Sequence, residues 1–201
     1  MFLTDSIFRA IERATALHHG QIRRVTGVPY IVHPYAVGFL LAHFTDDESV
    51  IIAGLLHDVL EDVPGYTRTM LEAEFGSEVA RLVSEVTEDN ALYAEHPELP
   101  HGDRVGLKKA DYLRRLVDDS EGALLIAAAD KICNARSFLA EYPKLGIHFW
   151  AKYHGTPERY LLFSRAVNAI IQEKLAHPLA EELDRVTKLA ETLIRETEET
   201  V

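Results

Sequence analysis

Apolar residues recur along most of the chain at intervals of three and four, the spacing of one face of an α-helix. Residues 4–19 carry such a stripe, with Thr4 suited to the N-cap and Gly20 to the stop. Residues 21–32 and 89–102 contain Gly and Pro and are predicted to be loops. The same criteria predict further helices at 34–44, 47–61, 67–75, 77–87, 103–118, 121–141, 157–176 and 179–198.

The predicted helix 47–61 is apolar nearly all round, a pattern typical of a central, buried helix. No stretch of the sequence shows the sustained alternation expected of a strand. The sequence therefore predicts an all-α protein. One compact domain over residues 1–201 is expected, because single hydrophobic cores commonly serve chains of this length.

The net charge of the chain limits which binding partners are expected. Lys and Arg total 21 and Asp and Glu total 32, which gives a net charge of −11 at pH 7. Such a surface repels the backbone of DNA or RNA, so we expect no nucleic-acid partner. An anionic substrate would need a local basic patch or a metal ion to overcome the same repulsion.

The compartment is indicated by cysteine content and hydropathy. Cys133 is the single cysteine, which excludes an intramolecular disulfide and favours a reducing compartment. The first residues do not resemble a signal peptide. The longest apolar run, near residues 50–56, is far shorter than the roughly 20 residues that span a bilayer. We therefore expect a cytoplasmic protein with no membrane contact.

The motif HDVLED ends the predicted central helix and places His57, Asp58, Glu61 and Asp62 directly after apolar turns. Buried charges and imidazoles are costly unless they are paired or bound to metal. In a continuous helix, Asp58 and Asp62 would share a face, as would His57 and Glu61. The motif alone is equally consistent with a helix that reaches solvent at its end, with four hydrated polar residues.

A second polar group in apolar surroundings is Asp130, which follows two apolar turns of the predicted helix 121–141. Asn134 lies on the same face. A carboxylate at this position requires a compensating cation. Considered alone, Asp130 is best explained by a buried salt bridge with Lys or Arg.

A third element places His33 directly before Pro34, which suits the first position of a helix. Two histidines and two aspartates then form a mixed nitrogen and oxygen ligand set. Such a set suits Mn²⁺, Fe²⁺ or Zn²⁺ better than a thiolate-selecting site. The four candidate metal ligands are His33, His57, Asp58 and Asp130.

These residues are suited to phosphate chemistry. A metal ion neutralises phosphate charge and lowers the pKa of water, and a nearby carboxylate can orient or deprotonate that water. Basic residues would bind the remaining phosphates. For the two lysines of predicted helix 103–118, an ordinary solvated helix face is an equally good explanation. The candidate phosphate contacts are Arg23, Arg24, Lys108, Lys109 and Lys131.

Four segments, in order, resemble one known family: HHGQIRRVTGVPYIVHP, HDVLED, FGSEVARLVSEVTE and ADKICNARS. They are similar to the hydrolase domain of the RelA/SpoT family, within the HD-domain phosphohydrolases, and most similar to its stand-alone small alarmone hydrolases. The similarity covers residues 8–175. It implies an HD-domain fold and removal of the 3′-pyrophosphate of guanosine tetra- or pentaphosphate. It also implies Mn²⁺ as the ion, with Fe²⁺, Zn²⁺ or Co²⁺ as alternatives. Synthesis of the alarmone is not expected, because no room remains for a synthetase domain.

The resemblance assigns roles by position. It implies that His33, His57, Asp58 and Asp130 bind the metal. It implies that the carboxylate pair Glu61 and Asp62 positions and activates the attacking water, and that His18 supports the site indirectly. The resemblance also implies four contacts to the nucleotide. They are the basic loop pair Arg23 and Arg24, Asn134 at the ribose, and Tyr160 in TPERYLLFSRA.

Departures from the family pattern leave alternatives open. Ile132 and Ala135 replace leucines of the family, both conservative changes in a core. The segment 89–102 does not match the bifunctional members closely, which leaves the nucleotide preference open. One alternative is an HD-type phosphohydrolase of a nucleotide monophosphate, a cyclic nucleotide or a 2′-phosphorylated cofactor. Another is a nucleotide-binding regulator with an inactive site, against which the intact Glu61 and Asp62 argue.

Overall fold

A computed structural model describes residues 3–153 and 155–198, apart from the side chain of Tyr93. Within these residues the chain is helical, with a single isolated antiparallel bridge between Ile22 and Pro29. The predicted all-α class is confirmed. The described helices are α1 (Asp5–Leu17), α2 (Val32–Phe44), α3 (Glu48–Leu55), α4 (Val59–Asp62), α5 (Arg68–Phe75), α6 (Ser77–Val86), α7 (Asn90–Glu95), α8 (His101–Leu116), α9 (Glu121–Leu145), α10 (His148–Tyr153), α11 (Pro157–Lys174) and α12 (Pro178–Glu198).

Helix α9 forms the centre of the fold and packs against α2, α3, α6, α11 and α12. Its residues 123–129 are all buried, as are residues 50–55 of α3. The prediction of a central, buried helix in the region of α3 is therefore confirmed. Among the described helices, none is long and apolar enough to cross a membrane.

Two glycines allow α2 and α3 to pack closely. A Cβ atom at Gly38 would lie 2.5 Å from Cδ2 of Leu55, and one at Gly54 would overlap Cδ1 of Leu41. Overpacking of this kind shifts side chains and backbone and typically costs about 1–3 kcal/mol. The close contact matters for the site, because His33 lies in the first turn of α2 and His57 lies in the turn directly after α3.

The continuous helix predicted over 47–61 is wrong at its C-terminal end. Helix α3 ends at Leu55, a turn follows, and α4 begins at Val59. The ring of His57 bonds through Nδ1 to the carbonyl oxygen of Gly54 at 2.8 Å. Such a bond from a side chain to the backbone competes with the hydrogen bonding of the helix. His57 and Asp58 therefore lie in a turn, and the helix faces predicted for the HDVLED motif do not apply.

Other boundaries also differ. The predicted loop 89–102 contains α7, which Asp89 caps by accepting a hydrogen bond from the amide of Ala91. Helix α9 continues beyond residue 141 and ends at Gly146, whose φ of 53° favours glycine. Helix α10 was not predicted, and α2 begins two residues before Pro34.

Candidate metal centre

The four predicted metal ligands come from three places in the fold. His33 lies in the first turn of α2, His57 and Asp58 lie in the turn after α3, and Asp130 lies in the buried middle of α9. Ligand atoms of His33, His57 and Asp58 lie within 4.8 Å of one another. Oδ1 of Asp130 lies 3.0 Å from Nε2 of His33 and 3.8 Å from Nε2 of His57. The structure thus brings all four side chains together.

His57 has the orientation of a metal ligand. Its Nδ1 lies 2.8 Å from the carbonyl oxygen of Gly54, which can only accept, so Nδ1 carries the proton. In the neutral ring, Nε2 then offers a lone pair. This atom is buried without a hydrogen-bond partner among the described residues, and it lies 3.0 Å from Oδ2 of Asp58. A buried imidazole fixed by a backbone carbonyl is how proteins commonly orient a histidine toward metal.

The electrostatics of the cluster favour a cation. Burial lowers the pKa of His57, but the charges of Asp58 and Asp130 outweigh burial and raise it to about 9. Burial favours the neutral form of Asp58, yet the facing His57 holds the pKa of that carboxyl below its usual range. Burial likewise opposes ionisation of Asp130, but the charge of Lys131 and the facing His33 hold the pKa of that carboxyl well below its usual range. Both aspartates therefore remain ionised in a buried place, and a divalent cation would neutralise them.

Asp130 is also supported by its neighbours on α9. Its Oδ2 accepts a hydrogen bond from Nζ of Lys131 at 2.6 Å, and its Oδ1 accepts one from Nδ2 of Asn134 at 2.6 Å. The salt bridge considered for Asp130 is therefore present. It engages Oδ2, while Oδ1 faces the two histidines. The ammonium of Lys131 also lies 5.1 Å from the ring centroid of Tyr112.

The predicted catalytic carboxylates lie on α4. Burial and the charge of Glu88 raise the pKa of Glu61, and Lys108 opposes this rise. Burial and the charge of Asp58 likewise raise the pKa of Asp62. A carboxylate with a raised pKa is a better proton acceptor, which suits a general base.

The two loop arginines are in different environments. Nη2 of Arg23 donates to Oδ1 of Asn134 at 3.2 Å, and its guanidinium lies 6.0 Å from the ring centroid of Tyr30. Arg24 is exposed. Arg23 is therefore connected through Asn134 to Asp130, whereas Arg24 faces solvent.

The other predicted substrate contacts, Tyr160 and Lys108, are engaged with other side chains of the protein. Tyr160 stacks on Phe138 with ring centroids 4.8 Å apart, in an aromatic cluster with Trp150 and Tyr153. The structure thus places Tyr160 in a second core between α9, α10 and α11. Lys108 lies beside the predicted catalytic residue Glu61 and forms ion pairs with the carboxylates of Glu61 and Glu88.

Sequence reasoning missed Tyr30 and Gln21 beside the site, whereas the neighbouring His18 was expected to support it indirectly. The hydroxyl of Tyr30 donates to Oδ2 of Asp58 at 2.6 Å. His18 is buried and bonds through Nδ1 to Oε1 of Gln21, whose Nε2 donates to the carbonyl of Asp62. The sequence signals for Tyr30 were its place in the segment HHGQIRRVTGVPYIVHP and its position three residues before His33.

The helical fold and the buried cluster of histidines and aspartates together define a metal-binding helical domain. Residues 10–147 match the HD domain family, and the chain belongs to that family. All four predicted ligands lie within the matched residues. An HD domain with this cluster binds a divalent cation.

Two curated relatives carry the name guanosine-3′,5′-bis(diphosphate) 3′-pyrophosphohydrolase. The one from Borreliella burgdorferi is 36% identical over 146 residues, which are 71% of this chain and 20% of the relative. The one from Spiroplasma citri is 37% identical over 134 residues, 65% of this chain and 17% of the relative. The chain thus spans about a fifth of the length of these relatives.

A solved structure is similar over nearly the whole chain. It belongs to a metazoan ortholog of SpoT that is described as hydrolysing ppGpp and acting in starvation responses. It is 26% identical, with a TM-score of 0.72, and covers 94% of this chain and 97% of its own. The two proteins therefore share their fold over most of both chains.

Proposed function

We propose that this protein hydrolyses guanosine 3′,5′-bis(diphosphate) and its pentaphosphate analogue, releasing the 3′-pyrophosphate. One observation carries the proposal. The buried cluster of His33, His57, Asp58 and Asp130 lies within the residues that match the HD domain family, and a relative named for this reaction is 36% identical over 146 residues. Similarity over 94% of the chain to a structure of a ppGpp-hydrolysing protein supports it.

We propose Mn²⁺ as the resident ion, with Fe²⁺, Zn²⁺ or Co²⁺ as alternatives, because two imidazoles and two carboxylates suit ions of this class. The residues that would hold it are the same four. When bound, such an ion neutralises phosphate charge and lowers the pKa of water.

The other steps of the proposed reaction involve side chains of this protein. Water attacks the phosphorus attached to the ribose 3′ oxygen, the bond between these two atoms breaks, and the 3′ oxygen takes up a proton. We assign the uptake of the proton of the attacking water to Glu61 and Asp62, which follow Asp58 on α4. The products are pyrophosphate and GDP, or GTP from the pentaphosphate.

Local positive charge would offset the repulsion that a net charge of −11 exerts on an anionic substrate. Arg23 is held at the site by Asn134, and its planar guanidinium suits bidentate binding of phosphate. Lys131 is held beside Asp130. Both cations are therefore fixed in place before substrate arrives, which lowers the entropic cost of binding.

Product analysis tests the proposal. The purified chain is incubated with MnCl₂ and, separately, with ppGpp, pppGpp, GTP, cyclic GMP and NADP, and the products are separated by anion exchange. We expect equal amounts of GDP and pyrophosphate from ppGpp. Hydrolysis of another nucleotide in the panel, with ppGpp left intact, would assign the site to a different phosphohydrolase. Binding of ppGpp without turnover would indicate a regulator.

A further inference from the structure

Lys108 was expected to contact substrate, but its ammonium is already surrounded by acceptors. Nζ lies 3.2 Å from Oε1 of Glu61, 2.7 Å from Oδ1 of Asn90 and 3.5 Å from Oε2 of Glu88. Its side chain is only 12% exposed. Two of the three N–H donors of this ammonium form hydrogen bonds, and a carboxylate oxygen of Glu88 lies within ion-pair distance. The ammonium is therefore already engaged by acceptors of this chain.

The same neighbours hold Glu61 from several sides. The amide of Glu88 donates to Oε2 of Glu61 at 3.4 Å, and Nδ2 of Asn90 donates to the carbonyl oxygen of Glu61 at 3.1 Å. Glu88 is itself buried and forms a second ion pair with Lys109. Two carboxylates and two ammonium groups thus form a neutral, hydrogen-bonded network.

We propose that Lys108 is a positioning residue for Glu61 and not a contact for the substrate phosphates. The inference rests on the proposed function, since it concerns the carboxylate expected to take a proton from water. Moving Lys108 to a phosphate would leave Glu61 and Glu88 without their shared cation in a buried place, which is costly. Lys108 instead fixes the direction of the Glu61 carboxylate.

Substitution of Lys108 by Met separates the two roles. Loss of a positioning residue should lower kcat by about 10- to 100-fold, because a small misplacement of a catalytic group has an effect of that size. KM should stay within about twofold, since no ground-state contact with substrate is removed. Lys108→Arg, which keeps a cation, should restore part of kcat. A raised KM with kcat preserved would overturn the proposal.

A matched control and a double variant complete the test. Lys144 is an exposed lysine near the end of α9 whose only described ion pair is with Glu141, so Lys144→Met removes the same charge and should leave both constants unchanged. Lys108→Met combined with Glu61→Gln should lower kcat little more than Glu61→Gln alone. Fully additive losses would show that Lys108 does not act through Glu61.

Binding of ppGpp distinguishes failure of this inference from failure of the proposed function. If the wild-type protein does not turn over ppGpp, the proposed function is wrong. The Kd of ppGpp, measured by calorimetry for wild type and Lys108→Met, then still separates the two roles. An unchanged Kd supports positioning, and a Kd raised tenfold or more shows a phosphate contact. Thermal melts of both proteins establish that the variant is folded.

Discussion

The hydroxyl of Tyr30 donates a hydrogen bond of 2.6 Å to Oδ2 of Asp58, the same oxygen that lies 3.0 Å from Nε2 of His57. The backbone amide of Tyr30 in turn donates to the carbonyl of Gln21 at 2.8 Å. The hydroxyl is therefore anchored at the base of the loop that carries Arg23. Tyr30 fixes which way the Asp58 carboxylate points and ties that loop to the metal centre.

Removal of this hydroxyl should weaken metal binding. Loss of a group that orients a metal ligand typically costs about 10- to 100-fold in affinity, and we expect that loss for Mn²⁺ in Tyr30→Phe. The Kd is measured by equilibrium dialysis. Tyr35→Phe is the matched control, because its hydroxyl contacts Thr15. Equal affinities for Tyr30→Phe and wild type would show that Asp58 does not depend on Tyr30.

The two loop arginines should contribute unequally. Arg23→Ala should raise KM for ppGpp by about 10- to 100-fold, since hydrogen bonds to charged groups contribute about 1.5–3 kcal/mol. Arg24→Ala should raise it much less, because Arg24 is exposed and Arg23 reaches Asn134. Steady-state kinetics of the two variants side by side provide the measurement. A larger effect at Arg24 would mean that the loop rearranges when substrate binds.

The carboxylates of α4 should act on the chemical step. Glu61→Gln and Asp62→Asn should each retain metal and lower kcat by about 100-fold or more, the usual contribution of a general base. The double variant should lose less than the product of the two effects if both groups act on one water. Single-turnover rates and metal content are measured together. Loss of metal in either single variant would place that carboxylate among the ligands.

Stability should depend on pH through Asp119, away from the metal ligands. Its Oδ2 is buried and has no hydrogen-bond partner in the part of the chain that the structure describes. Burial, with the nearby charge of Glu85, raises its pKa to about 6. A carboxyl whose pKa is raised by folding favours the protonated, folded state at low pH. The folded protein therefore loses stability as pH rises from about 4, the pKa of an unfolded aspartate, to about 6.

Asp119→Asn removes this penalty. Its free energy of unfolding should exceed that of wild type by about 1–2 kcal/mol at pH 7.5, after allowance for partial exposure, and the difference should vanish near pH 4. Urea unfolding at the two pH values tests this. Asp46→Asn, a change at an exposed aspartate between α2 and α3, is the control and should show no such difference. If Asp119→Asn were less stable than wild type at pH 7.5, the predicted destabilisation by the ionised Asp119 would be contradicted.

Helical periodicity and the spacing of polar residues in apolar surroundings predicted the helical class, the buried α3 and the residues that gather at the metal centre. They did not predict the turn at His57, because that turn depends on a bond from the imidazole to the carbonyl of Gly54. Lys108 shows the same limit of prediction from the sequence. A lysine on a polar helix face suggests a phosphate contact, and only the fold reveals that Glu61, Asn90 and Glu88 surround it.

The central claim is that one divalent cation is held by residues from three separate parts of the fold. Elemental analysis of protein dialysed against MnCl₂ and then against metal-free buffer tests it directly, with wild type compared to Asp130→Ala. We expect about one metal ion per chain in wild type and a large loss in the variant, because Asp130 is one of the four proposed ligands of a mixed nitrogen and oxygen site. Equal metal content in the two proteins would remove Asp130 from the site and contradict the arrangement proposed for it.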